Sequence, residues 1–480
     1  MSRLCFTVFL LLLAAATAAV HCNNELQAVA MAREALLLQS GRVGYEMLSG
    51  SGGDDGADAL ADCVKLYEAA EPRLGLLVFA GDSNFSRDDA VTWLGAALAS
   101  HATCLDGLGE REWLVEAGQA RNLTRLISRA LALYSAAGGA DTRRKSSTGS
   151  DVAGLLASWD VTTSKADLVV AQDGSGNYRT VSEAVAALGR KRPAGGRIVV
   201  HVKSGVYRET VDIGRNLKNV MFVGDGIDRT VITAGRNVPD GATTFNSATF
   251  GVSGDGFWAR DMTFENTAGP EKHQAVAARV SSDESVFYRC SFRGYQDTLF
   301  VHSLRQFYRD CHVYGTIDFI FGDAATVFQN CDILVRRPMD HQSNIITAQG
   351  RSDPNQNTGI SIVNSRVSPA GNFQAVKGKF KTYLGRPWKP YSRTVIMKTE
   401  LDGFVDGKGW KEWSGDYGLK TLYYAEYMNS GAGASTASRV KWPGFHLMHD
   451  RREAEGFSAG KFISGESWIP ATGVPFMAGI

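Results

Sequence analysis

Long apolar runs are scarce in this chain of 480 residues. Beyond the first twenty or so positions, no stretch reaches the roughly 18 to 20 apolar residues that a membrane-spanning helix requires. Cysteine is also sparse, with seven residues, one of which (Cys5) lies in the extreme N-terminal segment. His273, His302, His312 and His341 are scattered, and none stands with cysteine at the spacing of a zinc site. There is no glycine loop of the phosphate-binding kind and no Gly-x-Ser-x-Gly nucleophile elbow. An integral membrane protein, a zinc module, a nucleotide-phosphate enzyme and a serine hydrolase of the elbow type are therefore all disfavoured.

What is present divides into parts. Arg3, the apolar run Phe6 to Leu13 and the small residues Ala14 to Ala19 have the layout of a secretory leader. Export permits disulfides, and Asn84-Phe85-Ser86 and Asn122-Leu123-Thr124 are glycosylation sequons. From Asn23 to Asp141 there are 9 basic and 17 acidic side chains, a balance of −8; from Thr142 to Ile480 there are 41 and 33, a balance of +8. This split points to two units with different tasks, the basic one suited to a polyanionic partner. Solvated surface charge would account for the same numbers equally well.

The acidic part has helical spacing. Leu60, Val64 and Tyr67 follow i, i+4, i+7, and Val91, Leu94 and Leu98 follow i, i+3, i+7. Ser86 with Asp89 resembles a capping box. Glycine-rich loops such as Gly50 to Gly56 separate the runs, so a four-helix bundle is expected, in which Cys63 and Cys104 could bridge successive helices. A linker rich in Gly, Ser and Thr, containing Arg143-Arg144-Lys145, follows and is expected to be exposed and cleavable. From about Lys165, short β-rich runs take over: Leu168 to Val170, Ile198 to Val202, Val220 to Val223, Thr230 to Thr233, Trp258 to Phe264 and Val286 to Phe292. A short helix over Ser182 to Leu188, capped by Ser182, is expected among them.

Within this part a polar-Cys-polar-apolar core recurs around Cys290, Cys311 and Cys331, at intervals of 21 and 20 residues. Such a period is the mark of a β-solenoid, although a β-sandwich can give similar strand spacing. Strands on adjacent coils lie about 4.7–4.9 Å apart, within the Cα range of a disulfide. Cys311 could thus bond Cys331, or Cys290 could bond Cys311.

Two acidic motifs share the period: Gly294-Tyr295-Gln296-Asp297-Thr298-Leu299 and Gly315-Thr316-Ile317-Asp318-Phe319-Ile320-Phe321-Gly322, with the aspartates 21 residues apart. One coil per repeat would place the two carboxylates side by side. Asp318, hemmed by apolar neighbours, needs a partner, and Arg386 in Tyr383-Leu384-Gly385-Arg386-Pro387-Trp388 can hold it ionised with a planar fork. A desolvated, oriented carboxylate is a nucleophile, and Asp297 beside it becomes the proton carrier. Gln296 and Gln274 supply amide donors of the kind that stabilise an oxyanion. Any one of these residues alone would more simply be a turn former or a ladder residue; the combination at one period points to chemistry.

These residues carry a resemblance. The motifs His273-Gln274-Ala275-Val276-Ala277, Gly294 to Leu299, Arg305-Gln306-Phe307-Tyr308-Arg309, Gly315 to Gly322, Leu384 to Trp388 and Gln172-Asp173-Gly174-Ser175-Gly176 resemble those of plant pectin methylesterases carrying an N-terminal inhibitor-like pro-domain. Ala59 to Leu66 and Asp89 to Leu105 resemble the inhibitor-like part more loosely. The resemblance implies an all-β right-handed parallel β-helix preceded by an all-α four-helix bundle. The expected division is a leader at 1–22, the inhibitor-like bundle at 23–137, a linker at 138–164 and the β-helix at 165–480. It implies Asp318 as nucleophile, Asp297 as acid/base, Gln296 and Gln274 as stabilisers of the tetrahedral intermediate, and Thr244, Arg386 and Trp388 as substrate-cleft residues. It also implies a Cys311–Cys331 disulfide with Cys290 free. The implied reaction is hydrolysis of galacturonate methyl esters in methyl-esterified pectin (homogalacturonan), releasing methanol, with no metal or organic cofactor. Its implied setting is secreted and extracellular, in the plant cell wall, with no nucleic-acid or membrane partner, as a monomer. Partners in regulation would be its own N-terminal domain, proteinaceous inhibitors and a processing protease.

The chain departs from this pattern twice. Only Cys22 is available near the start of the helical domain, where the family has a cysteine pair. The place of a basic-basic-Leu-Leu processing site is taken by Val161-Thr162-Thr163-Ser164-Lys165. The alternatives are another pectin-active β-helix enzyme (a lyase or polygalacturonase), since one solenoid hosts many chemistries, or an esterase-inhibiting binding protein. The helical domain is expected to dock over the basic cleft and keep the precursor quiet until the linker is cut.

Overall fold

The computed structural model describes residues 2–49, 53–79, 85–110, 117–136, 154–189 and 196–480, with side chains from residue 24 onward except 53–55 and 117. The side chains of the expected leader and Cys22, Asn84 of the first sequon, and Arg143-Arg144-Lys145 with most of the expected linker lie outside the described residues. The chain divides into two compact units, Met1–Arg144 and Lys145–Ile480.

The first unit consists of α1 (Ser2–Leu48), α2 (Gly53–Phe79), α3 (Arg87–Glu110) and α4 (Ala117–Ala136). The helical periodicity buries Leu60, Tyr67, Leu94 and Leu98, while Val64 is half-buried. The box at the start of α3 has both arms: the Asp89 N–H donates to Ser86 Oγ (3.0 Å), and the Ser86 N–H donates to Asp89 Oδ2 (2.9 Å). Cys63 and Cys104 are bonded across α2 and α3, with Cα atoms 4.7 Å apart. No described helix is long and apolar enough to cross a membrane.

The second unit opens on α5 (Leu155–Ser158), inside the stretch expected as linker. Leu156 and Trp159 bury against Val199, Met221 and Trp258, and Arg260 Nη1 donates to the Leu156 carbonyl (2.6 Å). The short helix that follows, α6 (Val181–Leu188), is capped by Thr180 and not by Ser182. Thr180 accepts from the Glu183 N–H while Glu183 reaches back to the cap, and the neighbouring Ser182 N–H and Oγ are taken by Glu209.

The strands then wind into three parallel sheets of 11, 8 and 7 described strands, each coil adding one strand to each sheet in turn. All pairings are parallel, which rules out the β-sandwich. This is a parallel β-helix. Its axis is filled by like residues in register: Phe287 pairs with Tyr308 and Tyr308 with Phe328, and the rings stack at centroid distances of 5.1 and 4.5 Å.

Two of the expected strands are each divided in two. Trp258 to Phe264 is Trp258–Arg260 in the first sheet and Thr263–Asn266 in the second; Val286 to Phe292 is likewise Ser285–Tyr288 and Ser291–Arg293. The break falls on a left-handed residue that turns the chain at the same corner of successive coils: Asp261, Arg289, Asp310, Asn330 and Asn364, with φ of 56, 52, 54, 59 and 48°. Asp and Asn tolerate this region; strand propensity alone does not reveal it.

The cysteine ladder sits just past that corner. Cys290, Cys311 and Cys331 are all buried free thiols, so the implied Cys311–Cys331 disulfide is not present. In-register stacking points each Sγ along the coil toward main-chain carbonyls: Cys311 toward Phe287 O (3.3 Å) and Cys331 toward Tyr308 O (3.6 Å). Cys331 is also a hydrogen-bonding neighbour of the Cys311 thiol, but the two are not joined by the roughly 2.05 Å bond of a disulfide. Burial pushes the Cys290 and Cys311 thiols up, so they resist thiolate chemistry. Alkylation of the native protein should therefore leave all three unmodified, and unfolding should expose three free thiols in their peptides. A Cys311–Cys331 cross-linked peptide in mass spectrometry would contradict this.

Candidate active site

The second sheet hands over to the third through a short turn on each coil, and Thr244, Gln274, Gln296 with Asp297, and Asp318 lie on successive turns of this kind. Leu299 pairs with Ile320 and Phe300 with Phe321, a 21-residue offset. Asp297 and Asp318 each precede these strands by two residues and therefore occupy adjacent rungs, about 4.7–4.9 Å apart along the axis. The Asp297 N–H donates to the Ile317 carbonyl (3.0 Å), which fixes the register at the site itself. Both aspartates have left-handed backbone, φ 61 and 51°, a conformation that non-glycine residues adopt at a cost and that clusters at functional sites. Both are largely buried, at 8% and 5% exposure.

The glycines of the second motif have steric reasons. A Cβ on Gly315 would stand 2.1 Å from Phe319 Cβ and 2.8 Å from the Tyr295 carbonyl. One on Gly322 would stand 2.1 Å from the Val301 carbonyl, with φ of 128°. Either substitution would push apart the coils that carry the two carboxylates.

Arg386 follows the strand Thr382–Gly385, two strands from that of Asp318, and reaches back over the intervening strand Asn344–Gln349. Its Nε donates to Asp318 Oδ1 (2.9 Å) and its Nη2 to Oδ2, a two-pronged clamp. Burial raises the Asp318 carboxyl above its usual range, and Arg386 and then Lys411 pull it back in part. Burial works against the Arg386 charge, but Asp318 raises its pKa on balance.

Gln274 and Gln296 form a parallel bridge on consecutive coils and are half-buried, so their amides stand on the rungs leading to Asp318. Thr244 opens the short helical turn Phe245–Ser247 one coil earlier still. Trp388 meets Phe321 edge-on at 6.0 Å, and Phe321 stacks on Phe300 at 4.3 Å, giving an aromatic floor beside the carboxylates. Two further residues belong here that the motifs do not announce. Trp413 lies against the Arg386 guanidinium at 4.3 Å, and Lys411 acts electrostatically on Asp318. Their only sequence signal is the run Lys408-Gly409-Trp410-Lys411-Glu412-Trp413, downstream of Arg386-Pro387-Trp388.

An open solenoid edge with a clamped carboxylate, a second acid and amide donors on adjoining rungs fits a β-helical ester hydrolase. Residues 167–466 match the family model described as Pectinesterase, and residues 4–133 match that of the plant invertase/pectin methylesterase inhibitor. The chain is 52% identical to a probable pectinesterase/pectinesterase inhibitor 36 of Arabidopsis thaliana, over 99% of this chain and 98% of that one. It is 51% identical to pectinesterase 2 of Citrus sinensis, over 88% and 82%. The solved pectin methylesterase from carrot is 55% identical with a TM-score of 0.65, covering 67% of this chain and all of that one. The chain belongs to the pectinesterase family and carries an inhibitor-like helical domain ahead of the β-helix. These comparisons do not favour the lyase or polygalacturonase alternative.

Arg386→Ala leaves Asp318 buried without its clamp. Since burial already raises the folded-state pKa, ionising Asp318 opposes folding: its contribution to stability is full below the unfolded pKa and is lost as pH rises through the folded one. The variant should thus be destabilised by about 3 kcal/mol near neutral pH, toward the low end because Arg386 is partly exposed. The deficit should shrink in acid. Urea unfolding at both pH values checks this, and a deficit that does not vary with pH would contradict it.

Proposed function

We propose that the β-helix hydrolyses methyl esters of galacturonate residues in pectin with Asp318 as nucleophile and Asp297 as acid and then base. The observation that carries this reading is the Asp297–Asp318 pair on adjacent rungs with Asp318 clamped by Arg386. The clamp leaves Asp318 oriented and short of water, the condition for carboxylate attack on an ester carbon. A C–O bond forms between Asp318 and the carbonyl carbon, and the carbonyl electron pair moves onto oxygen. The amides of Gln274 and Gln296 donate to that oxyanion. As it collapses, the C–OCH3 bond breaks and Asp297 gives its proton to the departing methoxide, so methanol leaves. Water then attacks the resulting acyl-enzyme anhydride, Asp297 takes a proton from it, and the products are a free galacturonate carboxyl and Asp318 as carboxylate.

Thr244, Trp388 and the Phe321–Phe300 floor would hold the sugar chain along the solenoid edge, and Arg386 would serve both Asp318 and the substrate. The setting that follows is the plant cell wall, reached by secretion. The inhibitor-like domain would restrain this or another esterase, with linker cleavage by a protease as the release step, and the enzyme would act as a monomer.

Two substitutions test the chemistry on the full chain. Asp318→Ala should abolish methanol release from methylated pectin with the fold retained by circular dichroism; near-normal release would refute the assignment. Gln296→Ala should retain binding but lose about 10²–10³-fold in kcat, the usual effect of removing one oxyanion donor. A change confined to KM would assign Gln296 to binding alone.

A further inference from the structure

Behind the candidate site lies a buried polar cluster that the proposed chemistry does not use. Asp323 directly follows the strand Ile320–Gly322. It is buried, as are Gln349, Arg351, Gln356 and Thr358 around it. Asp323 Oδ1 accepts from Thr358 Oγ1 (2.5 Å) and from Gln349 Nε2 (3.3 Å), and Oδ2 accepts from Gln356 Nε2 (2.5 Å). Burial pushes the carboxyl up to about 7, against these donors and the charge of Arg351. Both amides are also held from their other end. Gln349 Oε1 accepts from the Arg351 N–H (2.9 Å) and the Arg393 N–H (2.7 Å), and Gln356 Oε1 accepts from the Ser352 and Asp353 N–H groups (both 3.0 Å). Neither amide can turn without breaking main-chain bonds, so the cluster behaves as one unit.

This unit ends on the loop from Arg386 to Arg393, which carries Trp388. The loop is tied at both ends. At its start the Arg386 N–H donates to the Thr347 carbonyl (3.0 Å), within a strand whose register with Ile320–Gly322 is set by main-chain pairing. At its far end the Arg393 N–H is held by Gln349, and the Tyr391 N–H donates to the Arg351 carbonyl (3.1 Å). The far-end ties run through the Asp323 cluster, because Arg351 is fixed by Gln349 and by its own Nε bond to the Gln356 carbonyl (2.9 Å). Trp388 stands between the two ends. Its six-membered ring lies on the bare backbone of Gly350, where a Cβ would come within 2.9 Å of Cε3. Gly350 sits between Gln349 and Arg351, and its N–H donates to the Gly322 carbonyl (2.8 Å), just before Asp323.

We infer that Asp323 is a positioning residue for Trp388. Through Gln349, Gln356 and Arg351 it holds both the seat of the indole and the far end of its loop, so the ring is in place before substrate arrives. Asp323 acts on the sugar chain only through that ring. The inference rests on the proposed reading of Trp388 as a residue that holds pectin, and it deepens that reading. The tie at Arg386 lies outside the cluster, so the clamp on Asp318 survives the loss of Asp323. Substrate binding then suffers more than turnover.

The test measures kcat and KM for methanol release from methylated pectin. It compares the full chain with Asp323→Ala, Asp323→Asn, Trp388→Ala and the double variant Asp323→Ala/Trp388→Ala, with thermal unfolding of each to report the fold. Asp323→Ala should raise KM about tenfold and leave kcat within about threefold. Asp323→Asn, which keeps the shape and one acceptor, should recover most of that KM. In the Trp388→Ala background, Asp323→Ala should change KM by less than about twofold, because the residue it positions is gone. An unchanged KM in folded Asp323→Ala, a loss confined to kcat, an Asn variant no better than Ala, or the same KM rise with and without Trp388 would each overturn the positioning role. If Asp323→Ala does not fold, Thr358→Val, which removes a single donor to Asp323, is put through the same cycle. It should raise KM about threefold with Trp388 present and not in its absence; no rise, or an equal rise in both backgrounds, would overturn the role. Wild-type methanol release judges the esterase reading separately: release with any contradicting outcome refutes only the positioning role, and no release refutes the reading beneath it.

Discussion

The site depends on main-chain bonding between consecutive coils at the turn into the third sheet. The Asp297 N–H to Ile317 carbonyl bond locks residues 21 apart in sequence onto neighbouring rungs. No side-chain interaction could do this as firmly, because the register is repeated on either side by the pairing of residues 278 with 299 and of 299 with 320. A slip of one residue would turn a carboxylate from the edge into the core. Gly315 and Gly322 leave the coils room to close to this spacing, and both aspartates take left-handed backbone at the turn.

Two buried carboxylates on adjacent rungs repel, and burial adds to the cost of ionising Asp318. Arg386 offsets that cost from two strands away, and its own position is fixed in turn. The Arg386 N–H donates to the Thr347 carbonyl (3.0 Å), the Lys411 N–H donates to the Gly385 carbonyl (3.0 Å), and Trp413 covers the guanidinium. Deeper in, Trp410 donates from Nε1 to Glu426 Oε1 (3.2 Å) and stacks on Tyr424 at 4.3 Å, while Arg439 donates to both carboxylate oxygens of Glu426. A fully bonded interior ion pair therefore stands behind the segment that flanks the clamp, and the clamp stands behind the proposed nucleophile.

Much of this was legible in the sequence because a solenoid turns spatial neighbours into a period. The interval between Asp297 and Asp318 and that between Cys290 and Cys311 are both 21 residues, and each marks one coil. The Ser86–Asp89 box and the Cys63–Cys104 bridge were legible for a similar reason, since helical spacing is local. What escaped was set by backbone geometry or by distant packing. The corner residues Asp261 and Arg289 divide runs that are continuous in β propensity, since a left-handed φ leaves no mark at an arginine. The thiols of Cys311 and Cys331 are in register and neighbours, yet register alone does not decide whether two sulfurs bond. Leu156 and Trp159 sit in a stretch that composition gives to a linker, and they pack because the first sheet offers an apolar face. Lys411 and Trp413 reach the site only because the coil after that of Arg386 returns to it.

The central claim is that coil stacking makes Asp318 the group that attacks the ester, with Asp297 at its side. The most direct measurement is rapid acid quenching of the full chain during turnover of methylated oligogalacturonate, followed by peptide mass mapping. The account predicts a galacturonyl adduct on the peptide containing Asp318. An adduct on another residue, or methanol release with no covalent adduct formed at any time, would contradict it.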